Sequence, residues 1–568
     1  MQRKYTKADI KGREVKGITY VTSKYRKNKD LIVAKEIIHM HDGARIKHLR
    51  MQENYERSFY VTKPSERHYT QKQSSEALEN LIEYRSPQCE LQSRIARALD
   101  YKTGGPNTHV KKLARSPYLY GADVSPVACF KNEYLKRYPG ITVTPNEVAV
   151  LDIETDVIHN KDTIIMLSIT MGRRVKTYVL ESFIENEELV AAKIENLSNK
   201  YIKELMLKRQ FSPDLIILDS PGQIVAEAIK ELHVWQPDIV AIWNAIFDMT
   251  RLEKALLDEH YDPAEIFSDP RVPKEYRQFK IIKGNDKDIT ASGVKKTKNI
   301  EEIWNWFLFP ASFQVLDAMC VYNAIRFGAK ESSYALNAIL AKEKVGSKLV
   351  IPGTDKYKGL RWHEVMQSEY KLEYIIYNIV DCVEMEELDE KITDLRMVIN
   401  EIASHSDFRN LNSGPKRLID RLHFWYLNQP EPRVIGSTPD EFDETYDKWV
   451  IDHRNIIVTL PAYMLAPTNY DRIKNAPDFK TYLFKECADL DITSTYPTAS
   501  ILLNIDPRTV VFEFSRIKGI TAARRLALGI NLTSARGNAI LIAQEYCGAP
   551  SPNKLLDAFI EELENEEA

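Results

Sequence analysis

Between residues 141 and 390, short apolar runs alternate with stretches of helical period, and no other feature restricts the fold of this chain as much. The runs "EVAVLDI", "TIIMLSIT", "DLIILD" and "DIVAIWN" have the length and β-branched content of buried strands. Between them, "QIVAEAIKELHV" and "FDMTRLEKALLDEH" place apolar residues every three or four positions, as helices do. Strands separated by helices favour a central sheet covered by helices, so the expected fold class is α/β within an α+β multidomain chain.

The rest of the chain sets the frame around that block. At 568 residues it is too long for one core and should divide into several domains. Residues 1–140 mix strand-like and helical pieces and end in "KRYPGITVTPN", a Pro/Gly-rich boundary. Residues 391–480 read as a connector with the helix "SGPKRLIDRLHFWYL" and the strand "KWVIDHRNIIVTL", and 481–568 form a last, short block. Hydrophobic residues make up 44% and charged residues 28%, the balance of a globular protein. No apolar run approaches the roughly 20 residues of a membrane span. The start, "MQRKYTKADIKGREVKG", carries no secretory apolar segment, and the six cysteines form no C-x-x-C pair, so an intracellular, reducing location is expected. Residues 1–50 hold fourteen Lys/Arg against five Asp/Glu. That excess suits either a phosphate backbone or a solvated basic face.

The α/β block carries the chemistry. In "VAVLDIETDV" strand alternation puts Asp152 and Glu154 on one face and Ile153 on the other. Two carboxylates on an apolar strand need a cation or a wet cleft; taken alone, a partly exposed strand end with scattered acids explains them as well. "NAIFDMTRL" then places Asn244 where a strand gives way to a helix and Asp248 in that helix's first turns. In "YIIYNIVDCVEMEEL", Tyr377 and Asp381 are four apart on one helix face. Asp152, Glu154, Asp248 and Asp381 come from three elements, and together they suit two hard cations such as Mg²⁺ or Mn²⁺.

The order "DIET", "NAIFD", "YNIVD", with 96 residues from Asp152 to Asp248 and 133 from Asp248 to Asp381, resembles the three exonuclease motifs of family B DNA polymerases. The resemblance implies an RNase H-like, DEDD-type 3′–5′ exonuclease domain at 141–390 behind an N-terminal DNA-binding domain at 1–140. It makes Asp152, Glu154, Asp248 and Asp381 the metal ligands, Tyr377 the residue that orients the attacking water, and Asn244 and Phe247 the grip on the 3′ nucleotide. It gives Asp317 in "VLDAMCVYNAI" a structural role within helical filler, together with "SSYALNAILAKEKVGSKL". It also puts a hairpin, with a Gly-Asn-Asp turn, at 279–293, although an ordinary surface hairpin fits that stretch as well. "DITSTYPT" resembles the first polymerase motif of the same family, with Asp491 as metal ligand and Tyr496 under the incoming sugar. The family's Lys-x-x-x-Asn-Ser-x-Tyr-Gly and Tyr-Gly-Asp-Thr-Asp motifs do not follow. "LYGADVSP" is no substitute, since Asp123 has no carboxylate two residues away.

The expected molecule is therefore the N-terminal part of a family B polymerase of tailed bacteriophages, with a palm that starts within the connector at 391–480 and continues as a partial palm at 481–568. Two Mg²⁺ or Mn²⁺ ions would occupy each active site, and a second polypeptide would complete the polymerase site. Primer-template and single-stranded DNA, dNTP, a sliding clamp and a single-strand binding protein are the partners such an enzyme would meet in the cytoplasm of an infected bacterium. A stand-alone 3′–5′ exonuclease with a vestigial palm and a non-catalytic replication assembly protein are the alternatives. An apolar stripe of Leu555, Leu556, Phe559, Ile560 and Leu563 at helical spacing would dock on the palm itself or on a partner groove.

Overall fold

A computed structural model describes residues 5–436, except 70–71, 102–109, 140–142, 160–161, 186, 290–294, 327–330, 347–348, 350 and 404. The described residues belong to one compact unit, Met1–Ser437. Asp491, Tyr496, the strand expected in "KWVIDHRNIIVTL" and the apolar stripe at 555–563 lie outside the described residues.

The chain begins with an antiparallel meander of β1 (Ile10–Thr22), β2 (Asp30–Met40) and β3 (Arg45–Glu53). A second three-stranded sheet places β4 (Glu56–Thr62) between β5 (Leu81–Pro87) and β6 (Leu119–Tyr120). Helix α1 (Pro126–Arg137) starts cleanly because Ser125 Oγ accepts from Ala128 N at 3.1 Å and Pro126 fills the first turn. Its Val127, Phe130 and Tyr134 pack on Ile18 and Ile32 of the meander.

The α/β block follows as β7 (Val148–Thr155), β8 (Ile164–Met171), β9 (Arg174–Leu180), β10 (Asp214–Leu218), β11 (Ile239–Ile242) and β12 (Gln314–Asp317). These form one mixed sheet in the order β10-β9-β8-β7-β11-β12. The pairs β7–β8 and β8–β9 are antiparallel, while β9–β10, β7–β11 and β11–β12 are parallel. Helices α2 (Pro221–Trp235), α3 (Ala245–Asp258), α4 (Ala318–Ile325), α5 (Leu360–Glu369) and α6 (Lys371–Ile392) accompany it. The α/β class expected from the alternation is what the chain adopts. On β7, Ala149, Leu151 and Ile153 enter one core and Val148 and Val150 the other. Asp152 and Glu154 follow on the Val148–Val150 side, where that second core ends. Among the described residues, no helix is long and apolar enough to cross a membrane.

Two local expectations change. "VLDAMCVYNAI" is not all helix: Gln314–Asp317 pairs with β11, and the helix starts only at Ala318 because the Asp317 carboxylate caps it. The flanks within 279–293 do not form a hairpin with each other. Lys280–Ile282 pairs with Trp306–Leu308, and Lys287–Ile289 pairs with Lys295–Thr297. Gly284 is not a turn residue but a point of close approach, where a Cβ would lie 2.4 Å from the Trp304 carbonyl oxygen.

Part of the basic excess in residues 1–50 is consumed internally. Lys35 is 2% exposed and reaches Asp238 Oδ1 at 2.6 Å and the carbonyls of Gln236 and Pro237 at 2.7 and 2.6 Å. Lys47 pairs with Glu147, while Arg13, His48 and Arg50 surround the buried Glu36. Lys24, Arg26 and Lys27, by contrast, are exposed.

Candidate metal centre

Three elements converge where β7 leaves the core. Strand alternation carries Asp152 and Glu154 there, as expected. After β11 the chain must turn sharply into α3, and Asn244 does so with φ 64° and ψ 56°, the left-handed region that asparagine tolerates. The turn is held by Asp317, whose carboxylate accepts from Ala245 N at 2.8 Å, Met319 N at 3.1 Å and Cys320 N at 3.2 Å. Asp317 thus ties the starts of α3 and α4 to the sheet. Burial pushes its carboxyl up to about 6 against those N–H donors.

On α6, Tyr374, Tyr377, Asn378 and Asp381 fall at i, i+3, i+4 and i+7 and share one face. An oxygen from each of Asp152, Glu154 and Asp381 lies within 4.8 Å of the others. Asp248, 3% exposed in the first turn of α3, stands close enough to feel the charges of Asp152 and Glu154. Asn378 Nδ2 donates to Asp152 Oδ2 at 2.7 Å, Tyr374 donates to Glu154, and Tyr377 stands close enough to Asp381 to feel its charge.

The electrostatics are those of an acid cluster short of positive charge. Burial, opposed by the Asn378 hydrogen bond, raises the Asp152 carboxyl to about 7. Burial and then the charge of Asp152 push Glu154, Asp248 and Asp381 well above the usual carboxylate range. Among the described residues no lysine or arginine forms an ion pair with Asp152, Glu154 or Asp381. The one nearby base is His363, whose Nδ1 lies 3.9 Å from Glu154 Oε2 and whose pKa burial lowers. Such a set of oxygen donors, crowded and uncompensated, fits a hard divalent cation.

Beside it, Phe247 is 40% exposed, with the Arg251 guanidinium 3.5 Å from its ring centroid. Asn244 Oδ1 is buried without a hydrogen-bond partner. Burial and Asp381 push the Tyr377 phenol well up, so it keeps its proton. Sequence reasoning overlooked Tyr374, Asn378 and His363. The first two carry a readable signal, since they fall on the Tyr377–Asp381 face of "YIIYNIVD", while His363 carries none. Neither the family models nor the curated proteins compared with this chain give a match.

Proposed function

We propose that this chain is a metal-dependent 3′–5′ DNA exonuclease with an RNase H-like core, carried on the N-terminal part of a phage-type family B DNA polymerase. The observation that carries the reading is the convergence of Asp152, Glu154 and Asp381 within 4.8 Å, with Asp248 close enough to feel their charges and, among the described residues, no lysine or arginine ion-paired with the three. The sheet supports it too: three antiparallel strands, β7 to β9, are continued by β11 and β12 parallel to β7, the strand pattern expected of an RNase H-like core.

Asp152, Glu154, Asp248 and Asp381 would hold two Mg²⁺ or Mn²⁺ ions. When bound, these supply Lewis acidity to a water and to the scissile phosphate. Tyr377 orients the attacking water through its hydroxyl. Asn244, at the turn into α3, and Phe247 would grip the terminal nucleotide, Phe247 giving the base a stacking surface. The polymerase half of the reading rests on the sequence of "DITSTYPT": Asp491 and Tyr496 would serve dNTP incorporation once a second polypeptide supplies the remaining motifs, inside a phage-infected bacterium. A stand-alone exonuclease is the second reading, favoured by the fact that, among the described residues, one acid cluster alone brings three possible metal ligands together.

The test uses single-stranded DNA labelled at its 5′ end. The chain should produce a descending ladder with Mg²⁺ or Mn²⁺, none with chelator, and none when the 3′ end is blocked. Cleavage independent of the 3′ end or of metal would refute the reading. Primer extension by the chain alone would refute the split polymerase site, and extension only on adding a polypeptide with the missing motifs would exclude the stand-alone enzyme.

A further inference from the structure

The Tyr374 hydroxyl sits at the centre of a hydrogen-bonded chain that ends on Glu154. It donates to Glu154 Oε2. The same oxygen is 2.8 Å from His363 Nδ1. A phenol has one proton and two lone pairs. With that proton committed to Glu154, the same oxygen has lone pairs free to accept from the Nδ1–H tautomer of His363.

That donor is placed by rigid parts. His363 and Gln367 are four apart on α5 and share one face. Gln367, 3% exposed, donates to the Thr155 carbonyl at 2.8 Å and accepts from Val157 N at 3.0 Å. Helix α5 is thereby pinned to the stretch of chain that directly follows Glu154. Across the site, Tyr374 and Tyr377 lie one turn apart on α6 with rings 5.9 Å apart and 5° from parallel.

We infer that Tyr374 is a positioning residue for the metal ligand Glu154, fixed in that task by His363 and Gln367; this rests on the metal-centre reading above. The hydroxyl restrains rotation of the Glu154 carboxylate and occupies one of its lone pairs, leaving the others for the cluster. Partners of this kind around ligating carboxylates typically change metal affinity by about ten- to a hundred-fold when removed.

The experiment is a titration of the full chain with Mn²⁺, following free Mn²⁺ by its electron paramagnetic resonance signal, alongside the melting temperature in chelator. Tyr374→Phe and His363→Ala should each weaken Mn²⁺ binding at least about ten-fold. His363→Asn, which restores an N–H near the Nδ1 position, should bind within a few-fold of wild type. Losses confined to the melting temperature, with Mn²⁺ affinity unchanged, would show a merely structural role and overturn the proposal. So would Tyr374→Phe binding Mn²⁺ as tightly as wild type, an outcome that leaves the metal centre standing. Failure of the wild-type chain to bind Mn²⁺ would instead overturn the metal-centre reading itself and this proposal with it.

Discussion

Replacing Asp152 with Asn should stabilise the metal-free protein while removing most of its response to metal. The reasoning is electrostatic. In the absence of a cation the carboxyl of Asp152 rises from 3.8 to about 7, so at pH 8 the folded state holds a charge it would shed if it could. That rise corresponds to roughly 4 kcal/mol at about 1.4 kcal/mol per pH unit. Asp152 is half-buried rather than sealed, and solvent screening reduces the figure to about 2 kcal/mol. A group whose folded pKa is raised contributes its full stability below the unfolded value, and that contribution is lost as pH climbs through the folded value. Wild type and Asp152→Asn should therefore melt together near pH 4 and diverge by pH 8, with the variant higher by a few degrees. Asparagine keeps the shape and still accepts from Asn378, which makes the comparison one of charge. Adding Mn²⁺ at a hundred times its dissociation constant should raise the wild type by about 2.7 kcal/mol and the variant far less. Differential scanning calorimetry in chelator and in Mn²⁺, at both pH values, measures all four quantities. A variant that melts below wild type in chelator at pH 8, or that gains as much from Mn²⁺, would refute the reasoning.

Other consequences follow from the same structure. Lys35→Ala strands Asp238 without its 2.6 Å partner and should destabilise by roughly 3–5 kcal/mol, with Lys35→Ala/Asp238→Ala recovering part of the loss in the same calorimeter. Phe247→Ala removes a stacking surface worth about 1–3 kcal/mol per base, so single-stranded DNA should bind about 5- to 150-fold more weakly while Mn²⁺ affinity stays put. Replacing the exposed Lys24, Arg26 and Lys27 with Ser should flatten the slope of log affinity against log salt by about 0.7 for each phosphate these side chains neutralise, and an unchanged slope would mean they only solvate the surface.

Much of this architecture is legible in the residues alone. The four apolar runs are strands because they are short, β-branched and bounded by turn residues, and the parity of β7 is enough to bring Asp152 and Glu154 out together. Spacing of four on a helix likewise pairs Tyr377 with Asp381. What stays hidden depends on distance along the chain. "RVKTYVL" and "QVLD" are strands only because β8 and β11 offer them edges. Gly284 and its neighbours suggest a hairpin turn, yet the two flanks do not pair with each other because each finds its partner further on. Lys35 and Asp238 are separated by some two hundred residues, and nothing local marks Lys35 as different from the exposed lysines before it. His363 belongs to the same class: its contact with Tyr374 exists because Gln367 holds α5 against the end of β7.

The central claim is that the acid cluster performs the hydrolysis. The most direct measurement is the rate at which Asp152→Ala/Glu154→Ala shortens 5′-labelled single-stranded DNA in Mg²⁺ or Mn²⁺, set against wild type prepared and assayed in parallel. Loss of both ligands should lower the rate by several orders of magnitude while the variant remains folded. A double variant that trims DNA as fast as wild type would contradict the account.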